Sequence, residues 1–225
     1  MLNLIVVAHP DDEVLGFGGT GAKLVKQGEI VQPIILCGNV KERSNQVGSD
    51  ELYNNMIEAN ELLSFNKPVL GDFPNIRMNT VDHIEIVKFI EEQILKFQPN
   101  RIFTHHPGDL NDDHVQIARA CLPASRLFQR RKDVKPLEAV YFMEILSSTD
   151  WSFPSVNEKF EPNVFVDIKD SLDLKLQALS KYKKVMRPVP HPRSVEVLTA
   201  NASSRGAQSG YQYAEAFQMI FKREL

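Results

Sequence analysis

The sequence predicts an α/β protein with a mostly parallel sheet and helices on both faces. Three observations carry this. Residues 4–8 form an uninterrupted apolar run, as a central strand buried on both faces requires. Strand and helix signals then alternate through the first half with short connections, the pattern of parallel β-α-β units. The polar clusters fall directly after predicted strands, where open α/β sheets bind their ligands.

The elements follow in order. After the strand at 4–8, a polar turn and the glycines of 16–21 lead into a helix that reaches Lys26. The β-branched run 31–37 is a second strand. Ser49 reads as an N-cap, with Asp50 and Glu51 in the first turn. The helix behind it repeats Leu52, Met56, Ala59, Leu62 and Leu63 at helical spacing. Residues 68–70 make a short strand. Thr80 caps a helix with Ile84, Val87, Ile90 and Ile94 on its apolar face, and Pro99 stops it. A strand at 101–104 and a helix at 115–127 follow. The second half is less regular, with strands at 139–145 and 164–168 and a helix at 171–186. Three prolines within 187–193 exclude a helix there and predict an extended loop. Without a repeat, low-complexity tract or linker, residues 1–225 read as a single domain with an elaborated C-terminal part.

Composition narrows the function. A chain of 225 residues, 43% of them hydrophobic, can bury its core without a disulfide or structural metal. A net charge of −3 argues against a nucleic-acid partner, which calls for a basic patch. Cys37 and Cys121 lack CxxC spacing and read as buried thiols of a reducing compartment. The N-terminus has no basic leader pattern, and no apolar run approaches the ~18 residues of a membrane span. The expectation is a cytoplasmic protein without a transmembrane segment; homo-oligomers are compatible with it.

The most informative segment is Ala8-His9-Pro10-Asp11-Asp12-Glu13. Three consecutive acids beside a histidine at a buried strand end are costly unless a cation is near. A second cluster, His105 to His114, repeats the chemistry at another strand end: His105-His106-Pro107-Gly108-Asp109-Leu110-Asn111-Asp112-Asp113-His114. Two histidines and a carboxylate are a common catalytic zinc set with one position open. Two such clusters at equivalent strand ends outweigh the plainer reading of polar turns capping helices.

With these segments, Thr104-His105 and Asn111-x-Asp113-His114 among them, the chain resembles the PIG-L/LmbE-like family of N-acetylglucosamine de-N-acetylases. Pro190-His191-Pro192-Arg193-Ser194, Arg205-Gly206 and Ala214-Glu215-Ala216-Phe217 extend the resemblance to nearly the whole chain. It implies a Rossmann-like fold and Zn²⁺, replaceable by other divalent first-row metals. His9, Asp12 and His114 are the implied ligands. Asp11 is the implied general base, activating a metal-bound water that removes acetyl from an N-acetylated amino sugar or sugar conjugate. Glu13, Asp109 and Asp113 are candidates for orienting the ligands. A non-sugar amide substrate, or a module that only binds metal and sugar, are the alternatives. A chelator needs no spare carboxylate such as Asp11.

Two departures from the family pattern stand out. Many members place a histidine at the position of Asn111, so either Asn111 donates as an amide or another group serves. His191, between two prolines, is the expected replacement, with its pKa raised by nearby acids. Residues 73–79 are also less rich in aspartate than in the family. Arg43 and Arg193 are expected to contact substrate. Gly16, Gly18, Gly19 and Gly21 fit no phosphate-binding loop; they read as a helix start that lets backbone approach the metal site.

Overall fold

The computed structural model describes residues 1–38, 49–153 and 158–224. Its strands are β1 (Leu2–Val7), β2 (Ile30–Ile35), β3 (Val69–Leu70), β4 (Arg101–His105), β5 (Ala139–Met143), β6 (Val164–Asp167) and β7 (Ala214–Lys222). Its helices are α1 (Asp12–Lys26), α2 (Ser49–Leu62), α3 (His83–Phe97), α4 (Asp112–Ala124), α5 (Leu127–Arg130), α6 (Leu172–Lys181) and α7 (Val195–Ser209), with a 3-10 turn at Met78–Thr80. One seven-stranded sheet runs β3-β2-β1-β4-β5-β7-β6. Its first five strands are parallel; β7 is antiparallel to both of its neighbours. The architecture is Rossmann-like, with helices on both faces.

Strand alternation explains the two cores. Side chains of successive residues leave opposite faces of a strand. Ile5 and Val7 of β1 therefore join the core under α1, α2 and α6, while Leu4, Val6 and Ala8 join the one under α3 and α4. Phe17 of α1 is fully buried against Phe103, with ring centroids 4.5 Å apart. Burial of a side chain of this size is worth roughly 1.5–3 kcal/mol. Among the described residues, no helix is long and apolar enough to cross a membrane.

Some details differ from the sequence reading. Helix α1 begins at Asp12, so the glycines lie inside it and not before it. They approach packed side chains away from the polar cluster: a Cβ on Gly16 would lie 2.7 Å from Ile145 Cδ1, one on Gly19 3.1 Å from Glu215 Oε1, and one on Gly21 2.2 Å from Phe65 Cζ. The α3 stripe is Ile86, Val87, Ile90 and Ile94; Ile84 is exposed, and Asp82 rather than Thr80 occupies the N-cap position. Helix α6 ends at Lys181, because Tyr182 at its C-cap leaves the helical region with ψ 91°. Helix α7 and strand β7 were not read from the sequence. β7 inserts between β5 and β6 and fixes the C-terminal part to the sheet.

Candidate active site

The strand order reverses between β1 and β4, which makes their carboxyl ends the topological switch point of the sheet. The two polar clusters meet there. His9 follows β1, Asp12 opens α1, and His114 sits in the first turn of α4. His9 Nδ1 lies 3.2 Å from Asp12 Oδ2, His114 Nε2 3.3 Å from the same oxygen, and the two nitrogens 3.3 Å apart. All three residues are buried.

The outer nitrogen of each imidazole meets a carboxylate. Asp113 accepts from Ile76 N–H at 2.6 Å and Met78 N–H at 3.0 Å, so it acts as an acceptor toward His9 Nε2, 2.9 Å away. His114 Nδ1 lies 2.8 Å from Asp109 Oδ2. Each imidazole thus donates outward to a carboxylate and turns its other nitrogen inward, the arrangement typical of metal-binding histidines. Asp12 Oδ1 is buried without a hydrogen-bond partner. Two inward nitrogens, one carboxylate and an orphaned oxygen fit a divalent cation with zinc-type ligands, which would take the place of the protons between them.

The electrostatics favour positive charge at the same place. Burial opposes a charged His114, but Asp12 and Asp109 override it and push its pKa up to about 10. Burial would raise Asp12; His114, His9 and His105 hold it well below the usual carboxylate range instead. His105 is buried behind the cluster, stacks on His114 at 3.8 Å and accepts Ala8 N–H at 2.8 Å.

Asp11 stands beside the cluster in a turn with φ 117° and ψ −31°. Arg193 Nη1 donates to its Oδ2 at 3.0 Å, while Arg193 Nε donates to Ser147 Oγ at 2.8 Å and Leu146 O at 3.2 Å. The guanidinium expected on substrate is therefore also a partner of Asp11. Glu13 accepts Asp11 N–H at 3.0 Å, Asn60 Nδ2 at 2.9 Å and the Tyr182 hydroxyl. Burial pushes the Glu13 carboxyl up to about 7 against those three hydrogen bonds. Sequence reasoning missed Asn60, Tyr182 and Ser147, which reach the site only through tertiary contacts.

Asn111 caps α4: its Oδ1 accepts Asp113 N–H at 3.0 Å. Any donation to an oxyanion falls to its Nδ2. His191 accepts Arg193 N–H on Nδ1 at 3.0 Å and packs against Trp151 with centroids 5.5 Å apart. Its pKa is lowered, contrary to expectation. Partial desolvation and the guanidiniums of Arg193 and Arg187 outweigh Asp150. Arg43 lies outside the described residues. Residues 73–79 contribute through backbone, since the N–H groups of Ile76 and Met78 hold Asp113.

Fold and site together define a doubly wound α/β protein with an imidazole-carboxylate cluster at its switch point. Residues 4–125 match the PIG-L, or GlcNAc-PI de-N-acetylase, family, and the chain belongs to that family. It is 27% identical to an uncharacterized deacetylase, YaiS, of Escherichia coli, over 80% of this chain and 89% of that protein. It is 24% identical to the diacetylchitobiose deacetylase of Thermococcus kodakarensis, over 96% of this chain and 82% of that one. The solved structure of the conserved protein TT1542 from Thermus thermophilus superposes with a TM-score of 0.80 at 24% identity, covering 100% of this chain and 97% of that chain.

Proposed function

We propose that this chain is a divalent-metal-dependent de-N-acetylase acting on an N-acetylated amino sugar or sugar conjugate. The convergence of His9 Nδ1, Asp12 Oδ2 and His114 Nε2, with the Asp11 carboxylate beside them, carries this reading. A module that only chelates metal has use for the three ligands; Asp11 is the group a hydrolase adds. A divalent ion held by His9, Asp12 and His114 would polarise the amide carbonyl and make water acidic enough to attack at neutral pH.

The remaining work belongs to the chain's own residues. Asp11 takes a proton from the water as it adds to the carbonyl carbon. It returns the proton to the nitrogen as the C–N bond breaks, releasing acetate and a free amine. Arg193 holds the Asp11 carboxylate in place for both transfers. His191, with Nδ1 engaged as an acceptor, offers its N–H from Nε2 as a neutral donor. Asn111 Nδ2 is the other donor candidate.

The sugar assignment is supported by family membership and by likeness to a diacetylchitobiose deacetylase. The test is acetate release from a panel of N-acetylated sugars, nucleotide sugars, sugar conjugates and non-sugar N-acetyl amides, with and without chelator. The expected result is release from at least one sugar, abolished by chelator and restored by Zn²⁺. Release only from non-sugar amides would reassign the substrate, and none from any amide would reject the enzyme reading.

A further inference from the structure

Asp11 holds a backbone conformation that side-chain-bearing residues avoid, with φ 117° and ψ −31°. Such a conformation persists only where its surroundings over-determine it. The Asp11 N–H points at Glu13 Oε2, 3.0 Å away. The other Glu13 oxygen accepts from Asn60 Nδ2 at 2.9 Å and from the Tyr182 hydroxyl. Asn60 is fixed in turn by donating to Met56 O at 2.9 Å. Glu13, Asn60 and Tyr182 are almost wholly buried, at 0%, 1% and 1% exposure. They come from α1, α2 and the C-cap of α6.

The consequence is geometric. The amide nitrogen and Cβ of Asp11 are bonded to the same Cα. Relaxing φ toward an ordinary value would turn the N–H away from Glu13 and swing the carboxylate off its present line. Arg193 constrains the carboxylate from the outer side, but it cannot hold the peptide plane.

We infer that Glu13 and Tyr182 are positioning residues that act through the Asp11 amide, locking the strained turn that aims the Asp11 carboxylate. The inference rests on the reading of Asp11 as the base. A merely structural role would lower thermal stability without separating kcat from KM. A lock on the base lowers kcat and leaves substrate and metal binding intact.

The test compares wild type, Tyr182→Phe, Glu13→Gln and Glu13→Leu in steady-state acetate release, with metal content measured. The Asp11 amide exchange rate is followed by NMR in the same proteins. Tyr182→Phe is expected to lower kcat about 10-fold and Glu13→Leu about 100-fold, the range set by a turn free to relax. KM should stay within about twofold and metal content unchanged. Glu13→Gln keeps one acceptor oxygen for the amide but sets its NH2 against the Asn60 donor, so its kcat should fall between those of wild type and Glu13→Leu. The Asp11 amide should exchange at least about tenfold faster in Tyr182→Phe while the amides of α1 stay protected. Unchanged Asp11 exchange in Tyr182→Phe, or a Glu13→Gln variant as impaired as Glu13→Leu, would overturn the inference. Tyr182→Phe and Glu13→Gln keep the shape of the core, so the comparison survives if Glu13→Leu does not fold. A wild type that releases no acetate would reject the functional reading, and amide exchange alone would then decide whether the lock exists.

Discussion

His9 Nε2 and Asp113 Oδ2 lie 2.9 Å apart, and this contact turns His9 Nδ1 toward Asp12 and His114. Asp109 does the same for His114 from the opposite side. Replacing either carboxylate by an amide leaves the ring free to adopt the other tautomer. Asp113→Asn and Asp109→Asn should each weaken metal affinity by about 10–100-fold with little change in fold. Competition titration against a chromophoric chelator measures this. Wild-type affinity in both variants would mean that the imidazoles are oriented by packing alone.

Arg193 bridges the loop after β5 to Asp11. Arg193→Ala should lower kcat by about 10-fold or more, in keeping with loss of orientation at a proton-transferring group. Metal content should not change. A variant whose defect lies wholly in KM would make Arg193 a substrate contact and not a partner of the base.

Asn111 and His191 compete for the role of hydrogen-bond donor, and the capping bond complicates the comparison. Asn111→Ala removes the α4 cap, at about 1 kcal/mol of stability, together with the amide. Asn111→Ser keeps a capping oxygen and removes only the Nδ2 donor, so it is the informative variant. If His191 is the donor, His191→Ala lowers kcat by about 10²-fold with metal retained, and Asn111→Ser stays near wild type. The reverse pattern assigns the role to Asn111. Because the His191 pKa is lowered below the ordinary histidine value, the ring is already mostly neutral at pH 7, and its contribution should persist as pH rises from 7 to 8.

Gly21 reports on packing rather than chemistry. Gly21→Ala gains helix propensity of about 1 kcal/mol, but its Cβ would lie 2.2 Å from Phe65 Cζ and 3.0 Å from Phe17 Cδ1. Overpacking typically costs about 1–3 kcal/mol, so the net effect should be destabilising. A denaturation midpoint equal to or above wild type would show that Phe65 moves aside freely.

What was legible in the sequence depended on range. β1, β4 and the two polar clusters could be read because a continuous apolar run and the charged turn after it are local signals. Their meeting followed from the parallel topology alone. The start of α1 is hard to place because glycine is a poor helix former; the close approach of Ile145 and Met143 to Gly16, Lys175 to Gly18, Ile168 and Glu215 to Gly19 and Phe65 to Gly21 explains why four of them sit inside a helix. β7 escaped notice because it is antiparallel in an otherwise parallel pattern and pairs across long sequence distances with β5 and β6. The charge on His191 was misjudged because the arginines around it are neighbours in space, while the acids assumed to face it are not its main surroundings. Tyr182, 169 residues from Glu13, gives no local sign of its role.

In the proposed mechanism Asp12 binds the ion while Asp11, one residue earlier, moves protons. The metal content of purified Asp11→Asn and Asp12→Asn, measured beside wild type, tests this most directly. Asp11→Asn should retain wild-type metal with catalysis reduced by about 10²–10⁴-fold, and Asp12→Asn should lose the ion. An Asp11→Asn protein that has lost its metal, beside an Asp12→Asn protein that keeps it, would contradict the assignment.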